Sequence, residues 1–178
     1  KVRARSPFIS PWRVIIIADS LCDLLTSNLI LNLNEPTDFE TTSWLKPGKY
    51  IGIWWGIHQK KYTWSQGPKH GAATKNVLRY IDFAAANGFD GVLVEGWNYG
   101  WDENWTEEGY LFSYTKPYPD FDLKRITDYA AARGVSLIGH HETGGATLNY
   151  EHQIEDAFML YRDHGVNIVK TGYVSDLL

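Results

Sequence analysis

From Tyr50 onward the apolar positions follow two alternating rhythms. Tyr50-Ile-Gly-Ile-Trp-Trp55, Gly91-Val-Leu-Val-Glu95, Val135 to Ile138 and Val166 to Val169 are short, nearly unbroken apolar runs, the pattern of parallel strands buried on both faces. Between them, apolar residues recur at helical spacing. Val77, Leu78, Ile81, Ala84 and Ala85 share one face, as do Leu123, Ile126, Tyr129 and Ala130, and then Ile154, Ala157, Phe158 and Tyr161. Thr74 is expected to cap the first of these helices, and Asp120 or Asp122 the second. Each helix runs into the next strand through one phrase: Asn87-Gly-Phe-Asp-Gly-Val92, Arg133-Gly-Val-Ser-Leu137 and His164-Gly-Val-Asn-Ile168. A glycine just past the helix end, repeated at this period, marks a repeated helix-to-strand unit.

Strand-helix alternation implies an α/β fold with parallel strands and right-handed crossovers, either a (β/α)8 (TIM) barrel or an open doubly wound sheet. No Gly-x-Gly-x-x-Gly follows a strand, which disfavours the dinucleotide-binding version. Four strands fall in residues 47–178, so a barrel would be about half present. Residues 1–46 are organised differently. Arg13 to Ala18 holds a Val-Ile-Ile-Ile run and Leu29 to Leu33 is apolar with Asn32 and Asn34 nearby, which suits strands, while Asp19 to Thr26 suits a helical turn or a loop. Pro36, a Thr-rich stretch and Lys46-Pro47-Gly48 form a connection. Residues 1–46 are therefore expected to be the end of a β-rich domain plus a linker, and 47–178 the first half of a barrel.

Composition narrows the partners. The 178 residues carry 17 basic and 21 acidic side chains, a net charge of −4 that makes nucleic acid and anionic membrane poor partners. No run approaches the eighteen apolar residues of a membrane span, and no signal-peptide pattern is present. One cysteine, Cys22, allows no internal disulfide. Lys1 opens the sequence and Met159 is its one methionine, so a piece of a longer protein is expected. Eight tryptophans, several in long loops, suit stacking on sugar rings as well as plain packing.

In α/β sheets and barrels, active sites lie at the carboxyl ends of the strands. Those ends read Trp54-Trp55 with His58, then Glu95 with Trp97 and Asn98, then His140 and Glu142, then Lys170. Side chains alternate across a strand, so His140 and Glu142 share one side and His141 faces the other. His140 with Glu142 supplies only two metal ligands, so no metal site is expected here. His58 and His70, near Lys60, Lys61 and Lys69, read as a solvated face. Glu95 could be simply an ion-pair partner of Lys170. Two carboxylates at a barrel mouth with aromatic loops fit glycoside hydrolysis, one as general acid and the other as base or nucleophile. Trp55 and Trp97 would meet sugar faces, and Asn98, His140 and Lys170 sugar hydroxyls.

Several co-linear segments carry a specific resemblance: Trp44-Leu-Lys-Pro-Gly-Lys-Tyr-Ile-Gly-Ile-Trp-Trp-Gly56, Gly67-Pro-Lys-His-Gly71, Asn87-Gly-Phe-Asp-Gly-Val-Leu-Val-Glu-Gly-Trp-Asn98, Leu137-Ile-Gly-His-His-Glu-Thr143 and Val169-Lys-Thr-Gly-Tyr173, with Pro11-Trp12-Arg13 and Leu31-Asn-Leu-Asn34 upstream. Together they resemble glycoside hydrolase family 97, bacterial α-glucosidases and α-galactosidases of starch and glycan utilisation. The resemblance implies an N-terminal β-sandwich, a catalytic (β/α)8 barrel and a C-terminal β domain, of which this chain is a central slice. In the retaining branch an aspartate on the fourth strand is the nucleophile. Gly172 stands at that position, as in the inverting α-glucosidase branch, where a third-strand glutamate helps to activate water. Carried over, Glu142 is the general base, and His140, Glu95 and Lys170 contact the scissile sugar. The general acid and the calcium-binding glutamates are implied to lie outside residues 1–178, so calcium is an expected cofactor held elsewhere. An α-linked oligosaccharide is the expected substrate, the remaining domains of the parent chain are the expected partners, and a periplasmic or secreted location follows. The alternatives are an α-galactosidase or other retaining-type α-glycosidase, an inactive carbohydrate-binding fragment, and, weakest, a metal-dependent hydrolase or isomerase using His140 and Glu142.

Overall fold

The computed structural model describes residues 3–102 and 104–172. The chain divides into two compact units, Lys1–Lys46 and Pro47–Leu178. In the first, the described residues form two short helices, α1 (Leu21–Thr26) and α2 (Leu29–Leu33), neither with a buried residue. The Ser20 side chain caps α1 by accepting from the Asp23 amide at 3.2 Å. Two sequence expectations are corrected here. Arg13 to Ala18 is not a strand, and Leu29 to Leu33 is a helix. A β-branched run has strand propensity but no intrinsic strand. With no neighbouring strand to accept its peptide groups among the described residues, no ladder forms.

The second unit follows the predicted beat. Its elements are β1 (Tyr50–Gly52), α3 (Trp54–His58), α4 (Thr74–Ala86), β2 (Gly91–Leu93), α5 (Leu123–Ala131), β3 (Ser136–Glu142), α6 (Thr147–Asp163) and β4 (Val169–Gly172). The strands make one sheet in the order β1-β2-β3-β4, every neighbour parallel. An α/β fold with a four-stranded parallel sheet is thus observed, with strands at the places the sequence indicates. The Tyr50–Trp55 strand is shorter than expected. Ile53 turns into the right-handed helical region (φ −82°, ψ −14°), and Trp54 to His58 continue as α3.

The helix stripes bury as their spacing requires. Val77, Ile81 and Ala84 of α4, Leu123, Ile126 and Ala130 of α5, and Ala157 and Tyr161 of α6 are buried. They pack with Val92, Val94, Val135 and Leu137 of the sheet region. Burying a side chain of the Val, Leu or Ile class contributes about 1.5–3 kcal/mol, so these stripes hold helices to sheet. Asp122, not Asp120, caps α5, accepting from the Arg125 amide at 3.0 Å. Thr74 does not cap α4. Its hydroxyl donates to the Asp120 carbonyl at 2.7 Å and accepts from the Asp122 amide at 2.8 Å, tying the start of α4 to the start of α5. Gly88, Gly134 and Gly165, the glycines of the repeated phrase, have φ of 68°, 68° and 72°. Here the left-handed turn that glycine permits closes each helix. No helix among the described residues is long and apolar enough to cross a membrane.

Candidate active site

The carboxyl ends of the four strands surround a cavity of about 650 Å³, open on one side. Glu95, His140, Glu142, Lys170 and Gly172 meet there, with Trp54, Trp55, Trp64, Trp101 and Trp105 around them. Register puts His140 beside Lys170 and Glu142 beside Gly172 on adjacent strands. Alternation does the rest. His140 and Glu142 enter the cavity, while His141 points back toward α6, its ring stacked on Tyr161 (5.0 Å, 13°) and its Nδ1 3.0 Å from the Tyr150 hydroxyl.

Glu95 is 3% exposed, and its Oε1 accepts from Lys170 Nζ at 3.0 Å. The ion pair considered from sequence therefore exists, and it lies inside the cavity. His140 Nε2 lies 3.9 Å from the same oxygen, too far for a hydrogen bond. Burial lowers the His140 imidazole to about 3, helped by the Lys170 charge and by His141. His140 is consequently neutral near pH 7, and its contact with Glu95 is no ion pair. Its Nδ1 has no hydrogen-bond partner among the described residues. His140 lines the cavity as a neutral imidazole, with its Nε2 on the Glu95 side and its Nδ1 buried.

Glu142 is 5% exposed. Burial raises its carboxyl above the ordinary range, the amides of Gly144 and Thr143 pull it down, Glu95 pushes it up and Lys170 down. The Gly144 amide donates to Oε1 at 3.1 Å and fixes the carboxylate. The other oxygen faces β4, where a Cβ at Gly172 would lie 3.1 Å from Oε2. A side chain at residue 172 would therefore crowd the Glu142 carboxylate on this side.

Three sequence assignments change. Trp97 is 1% exposed and packs on Phe121 and Tyr161, and its indole N–H donates to the His140 carbonyl at 2.8 Å. It belongs to the core, not to the cavity wall, because the chain has turned away from the rim after Glu95. Asn98 is spent on the loop: its amide donates to the Ser113 carbonyl at 2.8 Å, and its oxygen accepts from the Trp101 indole at 3.0 Å. His70 is buried, not solvated, with Nδ1 2.9 Å from Asp120 and Nε2 2.8 Å from the Gly96 carbonyl. Trp55 does line the cavity, from α3 instead of from a strand, and stacks with His58. Sequence reasoning did not single out Tyr114 and Tyr161, whose hydroxyls bond the backbone of Glu142 and His140. Tyr161 was legible only as a core position on its helix. The aromatic wall is a stack, Trp64 on Trp101 at 4.6 Å and 7°, with Trp105 against both.

The cavity does not fit a calcium site. Among the described residues no three of His, Cys, Asp and Glu gather to hold a metal, and one of the two acids present already serves Lys170. A buried carboxylate beside open space, an amine-acid pair and indole walls form a pocket suited to a neutral polyhydroxylated ligand.

The sequence profile described as glycoside hydrolase 97 matches residues 54–177, and the one described as glycosyl-hydrolase 97 N-terminal matches residues 1–36. The chain belongs to glycoside hydrolase family 97. A family 97 enzyme from Pseudoalteromonas sp. strain K8, solved in complex with acarbose, is 59% identical with a TM-score of 0.83, over 86% of this chain and 23% of that one. A variant of that enzyme, solved in complex with panose, matches equally well. A retaining α-galactosidase of Bacteroides thetaiotaomicron is 29% identical over 92% of this chain and 22% of its own length. A probable retaining α-galactosidase of Streptomyces bingchenggensis is 25% identical over 77% and 19%. The chain therefore spans about a fifth to a quarter of the length of these relatives.

Proposed function

We propose that this chain is the first half of the catalytic (β/α)8 barrel of an inverting family 97 α-glucosidase, preceded by the end of a β-sandwich domain. The observation that carries the reading is Glu142 beside Gly172. A buried carboxylate with a raised pKa is a competent base, and the missing side chain leaves room for a water next to it. A protein nucleophile on β4 would need a carboxylate where residue 172 has only hydrogen. Glu142 takes the proton of that water as its oxygen attacks the anomeric carbon. Glu95, His140 and Lys170 hold sugar hydroxyls, the neutral imidazole through its Nε2 edge. The leaving oxygen must receive a proton from an acid on the opposite face of the sugar. Glu95, engaged as the acceptor of the Lys170 ammonium, is poorly arranged for that, and the family resemblance implies an acid outside residues 1–178. Calcium, where bound, would likewise be held by residues outside this chain, and a periplasmic or secreted location accompanies the reading.

A gluco-configured substrate is supported by the acarbose and panose complexes of the 59%-identical enzyme, since panose is an α-linked glucose trisaccharide. The second reading, a retaining α-galactosidase, is favoured by the names of the two curated relatives, at lower identity. The deciding experiment uses the full-length protein that carries this chain, with p-nitrophenyl α-glucoside and α-galactoside, following by NMR the anomer first released. Faster turnover of the glucoside with the β-anomer appearing first is expected. An α-anomer appearing first would overturn the inverting assignment. Glu142→Gln should lower kcat by about 10²–10⁴-fold, the usual contribution of a general base.

A further inference from the structure

The end of β3 is held from behind by two phenols, and neither takes part in the chemistry above. Alternation along β3 turns the amides of Ser136, Ile138 and His140 toward β2. Thus Ser136 donates to the Asp90 carbonyl, whereas Gly139 donates to the Ile168 carbonyl on the β4 side. The ladder with β2 stops where Leu93 faces Ile138. His140 is therefore the first residue of β3 whose β2-facing peptide groups have no strand to pair with. Tyr161 of α6 substitutes for it. Its hydroxyl accepts from the His140 amide at 2.9 Å and donates to the His140 carbonyl at 3.2 Å. The Trp97 indole completes the same carbonyl. The Tyr161 ring lies over Gly139, where a Cβ would meet ring carbons at 2.5 Å, and stacks on His141. Two residues on, the Tyr114 hydroxyl donates to the Glu142 carbonyl at 2.8 Å.

We propose that Tyr161, together with Tyr114, is a positioning residue of this active site: its hydroxyl fixes the peptide plane of His140, and with it the aim of the His140 imidazole and of Glu142. The inference rests on the reading of Glu142 as the base. A side chain leaves its Cα in a direction set by the flanking peptide planes. Bonds to both the amide and the carbonyl of one residue remove the rotation that a strand partner would otherwise restrain. Glycine at 139 is what admits the ring. Burial holds the Tyr161 phenol well above its ordinary pKa, so it is a neutral donor and acceptor throughout the working range.

The test is Tyr161→Phe in the full-length protein, which keeps the ring over Gly139 and removes only the hydroxyl. Expected is a kcat about 10- to 100-fold lower for a misplacement well under 1 Å. KM should stay within about threefold, the pattern of an interaction realised in the transition state. The acid limb of the kcat/KM profile should also move, as Glu142 shifts against the Gly144 amide. Tyr114→Phe reports the same effect on Glu142 directly, and carries the comparison if Tyr161→Phe does not fold. An unchanged kcat per folded molecule with only a lowered thermal midpoint, in whichever of the two folds, overturns the proposal. Glu142→Gln assayed in parallel separates the two readings. Full activity there overturns the base assignment and this inference with it. An inactive Glu142→Gln beside a normal Tyr161→Phe overturns the positioning role alone.

Discussion

At the scale of single residues the site depends on a side chain that is absent. Glu142 Oε2 has 3.1 Å to where a methyl would sit at Gly172, closer than a Cβ settles without its neighbour giving way. Gly172→Ala should therefore push the carboxylate or fill the space proposed for water, and lower kcat in the full-length protein by about tenfold or more. Steady-state kinetics check this; a rate equal to that of the parent would mean the space is not used. Lys170 serves a different end. It is about half exposed, yet its ammonium pairs with a nearly buried acid, so the Glu95 carboxyl is not left without a partner. The placement of these residues was largely legible in the sequence, because a strand end shows its parity: two residues apart means one side, one apart means the other. That logic assigned His140, Glu142 and His141 to their sides. Trp97 and Asn98 were assigned from their nearness to the strand end alone, and there the chain turns into the loop, burying one in the core and tying the other to Ser113.

At the scale of elements, the unit that matters is β3 with α6 behind it. Their contact is made by a bare backbone, Gly139, against the Tyr161 ring. Gly139→Ala should overpack it and destabilise the protein by about 1–3 kcal/mol, read as a lower denaturant midpoint with an unchanged slope. The repeated helix-glycine-strand phrase made these elements visible in advance, since helical stripes and glycine stops are local signals. What could not be read is which distant hydroxyl completes a peptide group at the end of a strand. Nor could the residues 13–18 and 29–33 be read correctly. A strand exists only with a partner, and propensity does not report whether one is present. The aromatic loop between β2 and α5 shows the same limit. Its tryptophans suited sugar stacking as well as packing, but its anchoring to α6, with Gln153 bonding the Tyr114 amide and the Phe112 carbonyl, is a long-range matter.

At the scale of the whole molecule, two buried imidazoles couple stability to acidity. In the folded chain His140 and His141 titrate at about 3 and about 4, against 6.5 when unperturbed, in both cases because burial opposes the charged form. Below pH 6.5 the unfolded chain binds these protons first, so stability falls as the pH drops through the range from about 6.5 to about 3; above it, neither group contributes. Glu142, whose carboxyl is raised, acts in the opposite sense as a single group. Chemical denaturation between pH 4 and pH 8 should give a plateau above about pH 7 and a decline below it. His141→Phe, on the side away from the cavity, should flatten part of that decline.

The Trp64, Trp101 and Trp105 stack has a consequence of another kind. Two parallel, stacked indoles at 4.6 Å with a third in contact share their electronic excitation, so the wall of the cavity is also its own optical gauge. Arrival of a pyranose against these rings would alter the emission and the near-ultraviolet dichroism of the protein without any attached dye. Occupancy could then be followed even in a variant that no longer turns substrate over.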